Sequence, residues 1–206
     1  MAMNSGLLRR TGLGLMTVAA LVVGVAGCRP TPSHAAGVTG SQLRTMTGTA
    51  AGAACVFVKP DGAQKLGHVG WGFRVTGTDT WEYGAVENPS NRLYTPPGGD
   101  IGAWHTTGSY ARMLGRMTRG EYSRYRCTGS STSDVTAARA MVRQVERRGF
   151  LVGVDPRTGE LTSRDCLDAT YDVLRAYRTR HLTPAPRLYI PNVWVETLVL
   201  WSDRTL

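Results

Sequence analysis

Lysine is nearly missing from this chain. Of its 24 basic residues only Lys59 and Lys65 are lysines, and the rest are arginines scattered along the length. The net charge of +9 therefore comes without a basic cluster, which argues against the charged stripe of a nucleic-acid binder. No nucleic acid is expected as a partner, although a generic attraction to anionic lipid or wall polymer fits the charge. No glycine-rich turn leads from a strand into a helix, so a phosphate-cradling loop and a dinucleotide-binding turn are both excluded. The cysteines and histidines, four of each, do not fall at zinc-ligand spacing. No metal and no cofactor is expected, and the chain shows neither an internal repeat nor a heptad seam.

Long apolar stretches are also absent, save one. Residues 21–28 read Leu-Val-Val-Gly-Val-Ala-Gly-Cys and close a run that begins at Thr11, just behind Arg9 and Arg10. A positive start, a short apolar middle and small residues before a cleavage point are the order of an export signal. With four glycines between Thr11 and Gly27, the run falls short of the ~20 apolar residues of a spanning helix. Val25-Ala26-Gly27-Cys28 resembles a bacterial lipobox. Residues 1–27 are then a lipoprotein signal peptide, and a lipid on Cys28 tethers the protein to the outer face of the cytoplasmic membrane. A retained anchor, a plain secretory cut near Ala35-Ala36 and twin-arginine export through Arg9-Arg10 stay open. Residues 28–53 are rich in Pro, Thr, Ser, Gly and Ala and read as a flexible tether with a reach of roughly 25–30 Å.

The remaining segment, residues 54–206, suits one domain with a sizeable core. Cys55-Val-Phe-Val-Lys-Pro60 reads as a strand, and His68 to Val75 as a second. A turn at Gly77-Thr78-Asp79 returns the chain through Trp81–Glu87 as a hairpin partner. A loop follows over Pro89–Asp100, then a short helix over Ser109–Met117 and a strand over Tyr122–Cys127. The clearest helix spans Thr132–Arg148, with Ser131 and Asp134 as a capping box and Val135, Ala138, Met141, Val142 and Val145 as its apolar stripe. A strand at Phe150–Val154 precedes a helix that opens at Ser163-Arg164-Asp165-Cys166, while Pro184, Pro186 and Pro191 interrupt the approach to Val193–Trp201. Two helices and about five strands in local hairpins indicate an α+β fold, a small antiparallel sheet packed against helices.

Setting Cys28 aside leaves Cys55, Cys127 and Cys166, an odd number in an oxidising compartment. Cys55 and Cys127, each on a strand, are the candidate disulfide. Cys166 sits three residues after Ser163, in the first turn of a helix, where unpaired amides and the macrodipole favour a thiolate. His68 lies on a strand flanked by Gly67, Gly70 and Gly72, whose missing side chains leave room for another element or a substrate. It is the candidate base for that thiol. An acid on the paired strand is the natural group to orient the imidazole. Glu87 is favoured, with Glu82 on the opposite strand face as the substitute. His105 and His181 have no nucleophile nearby in sequence and read as surface or packing residues.

Gly67-His68-Val69-Gly70 followed by a hairpin, with Asp165-Cys166 opening a helix some 98 residues after the histidine, resembles the permuted papain-like NlpC/P60 superfamily. The histidine-before-cysteine order is similar to its YiiX-like and lecithin retinol acyltransferase-like branches. The resemblance spans about Cys55 to Tyr177. It implies a papain-like fold and a Cys-His hydrolase or acyltransferase acting on an amide or ester bond, with Cys166 as nucleophile and His68 as base. The family's third polar residue usually falls shortly after the histidine strand, where no His, Asn or Gln precedes Asn88. Cell-wall peptide is the expected substrate from the setting, and a lipid ester is the rival. The alternative from another class is a non-catalytic lipoprotein binding module with Trp71, Trp81, Tyr83 and Trp104 as an exposed ligand surface.

Overall fold

The computed structural model describes residues 52–206. The segments read as signal peptide and tether, as far as residue 51 and with Cys28 among them, lie outside the described residues. The first strand, β1 (Gly52–Lys59), begins two residues inside the segment read as tether, and Gly52 and Ala53 are already buried. It is followed by β2 (His68–Arg74), β3 (Thr80–Val86), β4 (Tyr94–Thr95), β5 (Ala103–Ser109), α1 (Tyr110–Arg119), β6 (Arg124–Ser130) and α2 (Val135–Arg147). The chain then continues through β7 (Phe150–Val154), β8 (Leu161–Arg164), α3 (Cys166–Ala176), α4 (Pro191–Glu196) and β9 (Ser202–Thr205). The fold is α+β, with a mostly antiparallel sheet packed against few helices.

Six strands form the main sheet in the order β5-β3-β2-β1-β6-β9, and β4-β7-β8 form a small second one. Every pairing is antiparallel. The central strands are covered on both faces, which is why β1 and β2 are rich in apolar residues along their length rather than alternating with polar ones. Val56, Val69, Trp71 and Phe73 point into the layer of α2, α3 and α4, whose Val142, Leu167, Val173 and Trp194 share the same core cluster. Cys55, Phe57, Trp81 and Tyr83 point the other way and meet Met113 and Met117 of α1 together with Tyr122. Trp71, Trp81 and Tyr83 are thus core residues, 1–2% exposed, and not a ligand surface. Burial of such rings is worth several kcal/mol each (about 3–5 kcal/mol on truncation to Ala).

The segments that differ from expectation do so for identifiable reasons. β5 reads Ala-Trp-His-Thr-Thr-Gly-Ser and is largely exposed; as an edge strand it needs no apolar run. α4 begins at Pro191, which is not a break here but the first helical residue, where a missing N–H costs nothing. The polar β9 is held by ion pairs from Arg124 and Arg126 to Asp203 and Glu196. On α2 the cap is Asp134 alone, accepting from the Ala137 amide at 2.9 Å. Ser131 takes no part in that cap.

Cys55 and Cys127 face each other across β1 and β6 and are joined by a disulfide. The bridge closes a loop of 72 residues, for which the chain-entropy account gives about 4 kcal/mol. Calorimetry of a Cys55→Ser/Cys127→Ser variant should show a transition about 10 °C lower; an unchanged transition would mean that the two strands gain nothing from the crosslink.

Candidate active site

The site begins with register. β1 and β2 pair so that Lys59 lies opposite His68. β2 and β3 pair Gly70 with Ala85, so two residues further along His68 faces Glu87, just beyond the end of β3. Lys59, His68 and Glu87 therefore sit side by side across three strands. Directly opposed residues share a sheet face, so their side chains meet. The connection between β1 and β2 holds this end of the sheet in place. Ala63, Gln64 and Lys65 all have left-handed φ, at 46°, 58° and 71°, a conformation costing roughly 1–2 kcal/mol for each such residue. Asn192 of α4 clamps the turn, donating from Nδ2 to the Pro60 carbonyl at 2.9 Å and to the Lys65 carbonyl at 3.1 Å.

Glu87 is the centre of the polar cluster. Its Oε2 lies 3.1 Å from His68 Nε2 and 3.0 Å from Lys59 Nζ. Its Oε1 accepts from Trp104 Nε1 at 3.2 Å and from the Tyr122 hydroxyl at 3.0 Å. The approach to His68 is close, although it falls outside the geometry of a regular hydrogen bond. Burial alone would raise the carboxyl's pKa, yet His68, Lys59 and Trp104 together hold it well below the usual carboxylate range. Glu82, by contrast, is buried on the opposite face and bound to Arg139 at 2.7 Å, so it has no part in orienting His68. The room left by Gly70 and Gly72 is filled from within the fold. A Cβ at Gly70 would stand 3.2 Å from the Tyr122 hydroxyl, and one at Gly72 would stand 2.7 Å from the Met113 sulfur.

Cys166 arrives from the other layer. It is the first residue of α3, one step after the N-cap Asp165. The cap is thus Asp165 rather than Ser163, whose hydroxyl instead accepts the Leu188 amide at 2.7 Å. Asp165 accepts from the amides of Leu167 and Asp168, and Asp168 reaches back to the Asp165 amide at 3.1 Å. Arg187 binds Asp168 Oδ1 at 2.5 Å. This closed capping box fixes the first turn of the helix and with it the Cys166 backbone. Cys166 is a free, buried cysteine. Burial and the charge of Asp168 raise the Asp165 pKa to about 6, against the backbone amides that favour its ionised form.

Cys166 and His68 meet at this end of the sheet. Burial would lower the His68 pKa, but the negative charge and hydrogen bonding of Cys166, reinforced by Glu87, raise it to about 10. With Nε2 against Glu87, Nδ1 is the ring nitrogen left for the sulfur. The imidazole thus interacts with both the thiol and the carboxylate. Tyr122 stays a hydroxyl donor, because burial and the charges of Glu87 and Cys166 push its pKa well up. Lys59 and Tyr122 were not singled out as site residues from the sequence, and Trp104 was named there only as part of a ligand surface. Lys59 carried a signal, as the last residue of the strand that the His68 strand pairs with; Tyr122 and Trp104 carried none. His105 is paired with Glu146 at 3.2 Å, and the His181 carbonyl accepts from Trp201. Neither is a member of the cluster.

Among the described residues, no group of three or more His, Cys, Asp or Glu is arranged to hold a metal ion. None of the described helices is long and apolar enough to cross a membrane. No family model matches the chain, and neither a curated protein nor a solved structure is significantly similar to it.

The raised His68 pKa has a sign. The stability it contributes is complete below the ordinary value of 6.5 and is lost as the pH rises towards about 10. Thermal unfolding of the native chain should weaken over that interval, and less steeply in Glu87→Gln, which removes one of the charges raising the histidine. Parallel slopes for the two proteins would show that Glu87 does not hold the His68 proton.

Proposed function

We propose that this chain is an exported cysteine hydrolase or acyltransferase, tethered to the membrane by a lipid on Cys28 and built on a circularly permuted papain-like domain of NlpC/P60 type. The observation that carries the reading is His68 lying between a cysteine in the first turn of a helix and the partly buried Glu87 carboxylate. The order of histidine strand before cysteine helix supports the permuted topology, as does the antiparallel sheet against helices. The binding-module reading loses its main support, because three of its four aromatics are buried in the core.

The chemistry follows from the charges. The nucleophilic form of Cys166 is the thiolate, with the proton on the His68 imidazole beside it, and its sulfur attacks the carbonyl carbon of an amide or ester. The carbonyl oxygen becomes an oxyanion, which the Cys166 backbone N–H is placed to receive; at the first helical position that amide has no acceptor within its own helix. As the tetrahedral intermediate collapses, the carbon–nitrogen or carbon–oxygen bond breaks and the leaving amine or alkoxide takes the proton from His68. The enzyme is then a thioester. Acylation removes the negative charge on sulfur, a main cause of the raised His68 pKa. The imidazole is thereby released to act as base for the second step, taking a proton from water or from an acceptor alcohol or amine that attacks the thioester. Glu87 stays ionised throughout and orients the ring. The site itself leaves hydrolysis and transfer equally open; cell-wall peptide is the substrate to test first.

Iodoacetamide at pH 6, with the labelled peptide mapped by mass, should modify Cys166 in the folded chain. His68→Ala should slow the labelling by about tenfold or more, since proton transfer by a positioned side chain is worth roughly 10²–10⁴ in rate. Cys166→Ala should abolish turnover of a wall peptide or acyl ester. Labelling only after heat unfolding would end the enzyme reading. In the membrane fraction, mass spectrometry should find diacylglycerol on Cys28, whereas a mature N-terminus at Gly37 would rule out the lipid anchor.

A further inference from the structure

Glu87 also forms part of the wall of an open cleft of about 270 Å³, together with Lys59, Trp104, Arg116, Arg119 and Glu121. Arg116 and Arg119 come from the last turn of α1. Among the described residues neither makes an ion pair with a carboxylate. The Arg116 guanidinium instead stacks on the Trp104 ring, 4.7 Å from its centroid, which keeps it against the cleft wall. Lys59 lies 4.8 Å from the Tyr122 ring centroid and 3.0 Å from Glu87.

The charge of Glu87 is already met by Lys59 and His68. That leaves two guanidinium groups against one remaining carboxylate, Glu121, on the wall of the cleft. A concave site with surplus arginines attracts anions, and the planar fork of a guanidinium matches a carboxylate or phosphate edge. We propose that the cleft binds an oxyanion, a carboxylate or phosphate group, held by Arg116, Arg119 and Lys59. The group arrives either on the substrate or as a free anion. Lys59 then has two anions to serve. Occupation of the cleft draws Lys59 away from Glu87 and alters the hold of Glu87 on His68, so that the anion and the reactivity of Cys166 are linked. The cleft stands on its own geometry; only the link to thiol reactivity rests on the enzyme reading.

The test titrates the full chain with sodium phosphate, N-acetylalanine or N-acetylalanine amide, at an ionic strength held constant with sodium chloride. Arginine side-chain NMR signals report binding, and the rate of Cys166 alkylation reports the link. Phosphate should shift the Arg116 and Arg119 signals saturably, and an Arg116→Gln/Arg119→Gln variant with an unchanged circular dichroism spectrum should bind about tenfold more weakly or worse. A response to N-acetylalanine that exceeds that to phosphate assigns the group to a carboxylate-bearing ligand; the reverse assigns it to a free phosphate. Equal responses to the amide, or unchanged binding by the variant, would overturn the site. Saturable binding that leaves the alkylation rate unmoved would overturn the link alone. A Cys166 that never alkylates would defeat the enzyme reading, while the NMR titration would still decide the cleft.

Discussion

A partly buried carboxylate with four partners holds this end of the molecule together. Glu87 receives Lys59 from β1, His68 from β2, the Trp104 indole from β5 and the Tyr122 hydroxyl from the segment before β6. Each donor belongs to a different part of the chain, so the carboxylate is a tie between strands as well as a partner for the imidazole. Removing it would leave the partly buried Lys59 ammonium and the buried His68 imidazolium without their shared counter-charge, a larger cost than the loss of one hydrogen bond. The same arrangement keeps Glu87 ionised, and an ionised Glu87 keeps His68 protonated.

The second constraint is where α3 starts. Asp165 and Asp168 close the capping box and Arg187 neutralises Asp168, so the helix begins at Cys166 and not a residue to either side. A shift of one residue would rotate the sulfur by about 100° around the helix axis, away from His68. The two layers of the fold contribute one side chain each: His68 from the strand bonded to β1, Cys166 from the helix packed on Trp71 and Phe73. Their meeting depends on the packing of α3 on the sheet, which the close-packed rings of the core hold in place.

Rigidity elsewhere serves the same end. The Cys55–Cys127 bridge locks β1 to β6 at the middle of the sheet. The Asn192 clamp stiffens the left-handed turn that delivers His68. Backbone strain of this kind persists only where the surroundings over-determine it, and it tends to gather beside functional groups. Here it stands one residue from Leu66 and three from His68.

Much of this was legible in one dimension. The hairpin of β2 and β3, the apolar stripe of α2 and the helix opening at Cys166 all follow from local periodicity and capping chemistry, which act over a few residues. The Cys55–Cys127 pairing and Glu87 in preference to Glu82 were favoured there but not fixed, and the cap at Asp165 was missed. Trp71, Trp81 and Tyr83 looked equally suited to a surface or a core, because an aromatic's composition does not say which layer will cover it. β5, α4 and β9 escaped notice because edge pairing, a proline at the first helical position and cross-strand ion pairs leave no apolar rhythm. What the sequence determined by itself was the set of chemical groups and the local elements that carry them. Only the tertiary structure decided which groups touch, because register and layer packing are set by contacts between residues tens of positions apart.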